Sequence, residues 1–313
     1  MSLAPLKLLD LSISQLDAAV AGGGLYVDYG ACIVRVRSRV PGFSASLQQV
    51  YRSFLHRPAA DFADFHVAVD RGRHVRRWLR PQARFSVDGV EPFEPFPQSS
   101  ALPLFEWGVN WCFAQRFNQH VLLHAGVLAI GDRAVIMAAT PGSGKSTLSA
   151  AMMLRDFRLL SDEFGVLNPE TGWLLPMLKP VALKNRSIDI IRTFSADACL
   201  GPTFTGTRKG DVAHLAPDQP SVAGSAQPAR PQLVIFPVYR EGSACTLTPQ
   251  PKEQAFARLA YNSFNYALLG PIAFNAVADI AGRCPAYQLT YGHLDDATQC
   301  LRELLADDSP SSH

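Results

Sequence analysis

"AVIMAATPGSGKSTLSAAMMLRDFRLLSDEFGVL", residues 134–167, decides how this chain is read. The apolar run up to Ala139 reads as a strand. "TPGSGKST" follows it, and then apolar residues at helical spacing over 146–156. A further run over 158–168 reads as another strand and carries "LLSDE". A strand, a tight glycine loop and a helix together make an anion site. The first amides of a helix have no partner within it, and the helix dipole is positive at that end. Gly142 and Gly144 suit a loop that turns successive N–H groups toward one point, because glycine reaches backbone angles that other residues avoid. The pattern is that of a phosphate-binding loop, G-x-x-x-x-G-K-[ST], with one departure: Ala139 stands at the first glycine position. That position closes the strand and adds little to the cradle. Alanine is compatible with binding there provided its φ is negative.

The residue types then assign expected tasks. Lys145 is expected to reach the β- and γ-phosphates, and Ser146 to place its hydroxyl on Mg²⁺. Pro141, Gly142, Ser143, Gly144 and Thr147 complete the expected ATP-binding loop. Asp162 is expected to join Ser146 on the metal, directly or through water. Successive residues of a strand point to opposite faces, so only one of Asp162 and Glu163 is expected to enter the site. His124 lies on the run 121–130, which is expected to form a hairpin with the loop's own strand, turning at Gly131-Asp132. From there its side chain is expected to reach the γ-phosphate end. The chain has no L-S-G-G-Q segment and no N-K-x-D segment, which argues against an ABC-type ATPase and a guanine-specific GTPase.

The rest of the chain sets the frame. Its 313 residues allow one large or two modest domains. Hydrophobic residues at 48% and charged residues at 18% support a substantial core. A net charge of +2 gives no general pull toward nucleic acid or an anionic membrane. Cysteines 32, 112, 199, 245, 284 and 300 form no C-x-x-C pair and read as reduced thiols. The start "MSLAPLKLLDLSIS" lacks the features of a signal peptide. The most apolar long run is interrupted by His124, Asp132 and Arg133. A cytoplasmic protein without a membrane span is therefore expected.

Strands are expected over 32–40, 62–70, 83–93, 173–184, 233–239 and 285–292. Helices are expected over 44–55 with Ser44 as N-cap, and over 104–117, 251–270 and 294–306. The fold class is α/β. Residues 1–100 read as a small strand-rich module, 92–103 as a linker, 101–306 as the domain that carries the loop, and 307–313 as a disordered tail. The Gly, Pro, Ser and Thr of 200–232 read as a mobile loop. "RGRHVRRWLRPQAR", 71–84, reads equally as a dock for an acidic partner or as a solvated hairpin.

The His124 strand "LLHAG", the loop, one helix and then "RLLSDE" resemble the HPr kinase/phosphorylase family. "FADFHV", "RRWLRPQARFS", "EWGVNWC", "KPVALKNRS", "TRKGDVAHL" and "CPAYQLTYG" are similar to its HprK-related kinase A group and span nearly the whole chain. The resemblance implies a phosphoenolpyruvate-carboxykinase-like core, with a mixed, barrel-like sheet against the loop's helix. It also implies an ATP-dependent kinase that phosphorylates a Ser or Thr hydroxyl of a peptide or small protein, and a homo-oligomer as one assembly state. Glu163, at the position of the family's catalytic acid, is the favoured base, in competition with Asp162. His124 would orient that acid. Arg208, beside Lys209, would ride a lid that stabilises transition-state charge, and Lys179 and Lys184 are further candidate contacts. Glu163 replaces the family's second Asp, and no HPr kinase signature follows, so HPr itself is not implied as acceptor. A small-molecule alcohol kinase and a non-catalytic ATP-binding docking module are the alternatives.

Overall fold

The computed structural model describes residues 6–57, 62–72, 79–140 and 142–306. Pro141 and residues 73–78 and 307–313 lie outside them, so the Arg-rich segment is described only in part and the expected tail not at all. In chain order, α1 is Ile13–Ala21, β1 Leu25–Asp28, β2 Ile33–Ser38, α2 Phe43–Val50, β3 Phe65–Arg71, β4 Gln82–Val87, β5 Phe96–Pro97 and α3 Ala101–Arg116. Next come β6 Val121–Ile130, β7 Arg133–Ala138, α4 Lys145–Met153, β8 Arg158–Ser161, β9 Phe164–Leu167 and β10 Leu174–Leu175. Then follow β11 Val181–Lys184, α5 Arg186–Phe194, β12 Phe204–Thr207, β13 Gly210–Leu215 and α6 Gln219–Ala223. The last are β14 Arg230–Tyr239, β15 Thr246–Pro249, α7 Lys252–Tyr261, α8 Tyr266–Leu269, α9 Pro271–Arg283, β16 Ala286–Tyr291 and α10 Leu294–Ala306.

The chain gathers into two compact units. One comprises the chain up to Phe117 with Ala182–Val222, and the other Asn118–Val181 with the chain from Ala223. In the first unit, β1 to β5 form a sheet in chain order, and β11, β13 and β12 form a second. β2 alternates as its sequence requires, with Val34 and Val36 buried, Arg35 between them and Arg37 exposed after them. α2 is capped by Gly42 at φ +76°, not by Ser44, which is buried. The linker expected over 92–103 instead runs into α3, which packs on β3 and β4. A Cβ on Gly108 would stand 2.3 Å from the Phe85 ring, so glycine there lets α3 close on the sheet. Glu106 on α3 is buried and accepts from Tyr51 Oη at 2.6 Å. These contacts carry the first unit past residue 100.

Residues 200–232, expected as a loop, contain the β12–β13 hairpin and α6. The side chain of Asn185 accepts from the amide of Asp211 at 3.1 Å, which ties the hairpin to the start of α5. Gly206 and Gly210, both at positive φ, let the hairpin turn, and they are also what blurs its alternation in the sequence.

The second unit is built on one eight-stranded mixed sheet, ordered β10-β9-β6-β7-β14-β16-β15, with β8 beside β6. β6 and β7 form the expected hairpin, and β7, β14 and β16 run parallel. α7 and α9 cover one face. α4 and α10 lie on the other. β7 is buried almost throughout because both its faces are covered. Among the described residues none of the sheets closes into a barrel: the large one ends on β10 and β15, and beyond β10 an isolated bridge joins Leu174 to Ala229 without a further strand. The fold is thus mixed α/β with open, mixed sheets. Among the described residues, no helix is long and apolar enough to cross a membrane.

Candidate functional site

The loop leaves β7 at Ala138 and enters α4 at Lys145. Ala139 is buried and does not have a positive φ, so alanine meets the condition set for it. Gly142 and Gly144 both sit at φ +89°, where glycine is favoured. Gly144 caps α4 and is restricted twice, since a Cβ there would also stand 2.7 Å from Tyr291 Oη and 3.1 Å from Tyr239 Cβ. The Ser143 amide donates to Thr140 O at 3.3 Å, and Ser143 O accepts from the Tyr239 amide at 3.2 Å. Ser146 and Thr147 lie in the first turn of α4, where helix amides lack helical partners.

Lys145 is 8% exposed. Its Nζ donates to the backbone oxygen of Asp162 and lies 3.8 Å from Asp162 Oδ1. The strand expected over 158–168 breaks here. Ser161 Oγ accepts from the amides of Glu163 at 3.3 Å and Phe164 at 2.9 Å, and the two halves become β8 and β9. The expected alternation of Asp162 and Glu163 across a strand therefore does not apply, because both acids occupy the break. They take different partners. Asp162 is buried beside Lys145, whereas the Glu163 side chain is 40% exposed with Oε1 3.6 Å from His124 Nε2. Burial pushes the Asp162 carboxyl up from its ordinary range. Lys145 and the nearby Ser146 and Ser149 hydroxyls pull it back, and the Glu163 charge adds to the rise.

His124 is positioned by its backbone. β7 pairs with β6 only from Ala125 onward, and residues 262–265 fill the remaining edge. The His124 amide donates to Asn262 O, the Phe264 amide to Leu122 O at 2.8 Å, and Asn265 Oδ1 accepts from the Leu122 amide at 3.0 Å. This edge pairing splits the helix expected over 251–270 into α7 and α8. The Phe264 ring lies 5.3 Å from the His124 ring and 4.7 Å from that of Phe164.

Several contributors were not read from the sequence. Gly126, two residues after His124, points to the same face of β6. A Cβ on it would stand 2.6 Å from Ser149 Oγ, so glycine lets α4 close on the strand. Ser149 follows Lys145 by one helical turn, a spacing that was legible. Tyr239 and Tyr291 end β14 and β16, at the carboxyl ends of parallel strands where ligands gather. Their proximity to the loop depends on strand order, which the sequence does not state.

Ser143 Oγ, Ser149 Oγ and Asp162 Oδ1 are buried with no hydrogen-bond partner among the described residues. Buried polar atoms are normally satisfied. Three around one loop suit a polar group: a hydroxyl such as Ser143 can donate to a phosphate oxygen, and a carboxylate oxygen such as Asp162 Oδ1 suits a hard cation. The residues present thus fit a Mg²⁺-bound polyphosphate.

The chain matches no protein-family model, and no curated protein matches it.

The remaining candidates divide between the units. Lys179, in the second unit, is buried. Lys184 and Arg208 belong to the first. Arg208 sits at the turn of the β12–β13 hairpin, with its guanidinium carbon 5.5 Å from the centroid of the Phe96 ring.

Proposed function

We propose that this protein is an ATP-dependent phosphotransferase that moves the γ-phosphate to a hydroxyl, favouring a Ser or Thr of a peptide or small protein over a small-molecule alcohol. The observation that carries the reading is the pairing of a glycine-shaped helix N-terminus with two acids held in one turn, one buried on Lys145 and one beside His124. A module that only binds nucleotide needs the loop; it does not need the second acid and the histidine. On this reading the second unit is a phosphoenolpyruvate-carboxykinase-like core. The order of strand, loop, helix and acidic turn beside a histidine-bearing strand supports that assignment.

Phosphoryl transfer asks a protein mainly for positioning and charge. The loop amides and Lys145 hold the polyphosphate, and the Ser143 hydroxyl donates to one of its oxygens. Ser146 and Asp162 would hold Mg²⁺, which would supply neutralisation of the polyphosphate's charge. Glu163 accepts the proton of the acceptor hydroxyl as that oxygen bonds to the γ-phosphorus, and the bond to the β-phosphate oxygen breaks to leave ADP. His124 Nε2 orients the Glu163 carboxylate.

The test is incubation with γ-labelled ATP, Mg²⁺ and a panel of Ser- and Thr-containing peptides, small proteins and alcohols. Label is expected on a hydroxyl acceptor. Tight ATP binding with neither label transfer nor ADP release for every acceptor would point instead to a docking module.

A further inference from the structure

The nucleotide reading leaves one end of the ligand unassigned. A triphosphate in this loop must turn its γ end toward Asp162, Glu163 and His124, which lie on the side of β8 and β6. The strand order places β7 between β6 and β14, so the nucleoside end leaves on the other side, over β14 and β16. Tyr239 stands there, as the last residue of β14.

Tyr239 is 46% exposed although it is a large aromatic, on a strand whose middle, residues 233–237, is buried. It is supported from two sides. Its amide donates to Ser143 O in the loop. Its ring meets the ring of Tyr291 edge-on, with centroids 5.7 Å apart and planes at 65°. Tyr291 itself is 1% exposed, and its hydroxyl donates to Gly144 O at 3.4 Å. A buried tyrosine thus links the phosphate loop to an exposed one, at a place where the sheet's core does not need the exposed ring.

We propose that Tyr239 is the platform on which the nucleobase stacks, and so the residue that makes the site prefer a nucleoside triphosphate to a bare polyphosphate. Every base has a π-face, and base–aromatic stacking tolerates different bases. The inference rests on the nucleotide reading above, and its test separates the two.

Calorimetric titration of the full chain with Mg²⁺–ATP and with Mg²⁺–tripolyphosphate compares wild type, Tyr239→Ala, Tyr239→Leu and Tyr239→Phe. Wild type is expected to bind ATP more tightly than tripolyphosphate. Tyr239→Ala and Tyr239→Leu are expected to weaken ATP by roughly five-fold to a hundred-fold and to leave tripolyphosphate within about two-fold. Tyr239→Phe is expected to retain both. The backbone amide of residue 239 is present in every variant, so the comparison reads the ring alone. Equal weakening of ATP and tripolyphosphate would mean that the ring only props the loop and would overturn the proposal. So would unchanged ATP binding in Tyr239→Ala and Tyr239→Leu. A wild type that binds neither ligand would overturn the nucleotide reading, and this inference with it.

Discussion

Glu163→Gln is expected to slow phosphoryl transfer by about 10²- to 10⁴-fold, the usual worth of a positioned general base. ATP affinity is expected to stay within about two-fold. The substitution keeps the shape of the side chain and removes only its capacity to take a proton. Because Glu163 is 40% exposed, neutralising it costs the fold little. The loss therefore falls on kcat and on kcat/KM together, which marks an interaction made in the transition state. Label transfer under saturating ATP, with affinity measured separately, checks this. A Glu163→Gln protein that transfers at the wild-type rate would hand the base role to Asp162.

Asp162→Asn is expected to move two observables in opposite directions. Transfer should fall by about 10²-fold or more, because a ligand of the metal that screens the phosphates is lost. The empty protein should melt at a higher temperature. Asp162 is buried, its Oδ1 lacks a hydrogen-bond partner, and its carboxyl titrates above the ordinary range. In the window between the ordinary and the raised value, the folded state holds a proton that the unfolded state has released. Stability then falls as pH rises through that window, and at neutral pH the charged carboxylate weighs against folding. Asparagine does not titrate, so this slope should shrink in the variant. Lys145 keeps its bond to the backbone oxygen of residue 162 but loses the carboxylate 3.8 Å from its Nζ, which subtracts from the gain. Calorimetric melts of both proteins, from the carboxylate range to neutral pH, measure the effect. A lower melting temperature in Asp162→Asn at neutral pH would contradict it.

The sequence was most legible where local chemistry and local structure coincide. Gly142, Gly144 and Lys145 lie between an apolar strand and a helix, and that contiguous stretch needs no distant partner to be recognised. The hairpin turn at Gly131-Asp132 was legible for the same reason. What escaped depends on side-chain bonds to the backbone or on residues far apart in the chain. Ser161 breaks the acidic strand through two side-chain bonds, which hydrophobic periodicity does not register. Residues 262–265 leave the helical pattern because β6 offers them an unpaired edge. The Tyr239–Tyr291 pair exists only because β14 and β16 are neighbours. Nor does any local signal tell that 182–222 join the first unit after the chain has built much of the second.

The central claim is that the loop over 139–147 holds the polyphosphate of ATP around Lys145. Its most direct test is calorimetric titration with ATP, with and without Mg²⁺, of wild type and Lys145→Met. Methionine keeps the buried bulk of the side chain and removes its charge. The account predicts one ATP per chain, tighter binding with Mg²⁺, and at least roughly a hundred-fold weakening in a Lys145→Met protein that remains folded. ATP binding that is undiminished in Lys145→Met, or absent from the wild type at millimolar nucleotide, would contradict it.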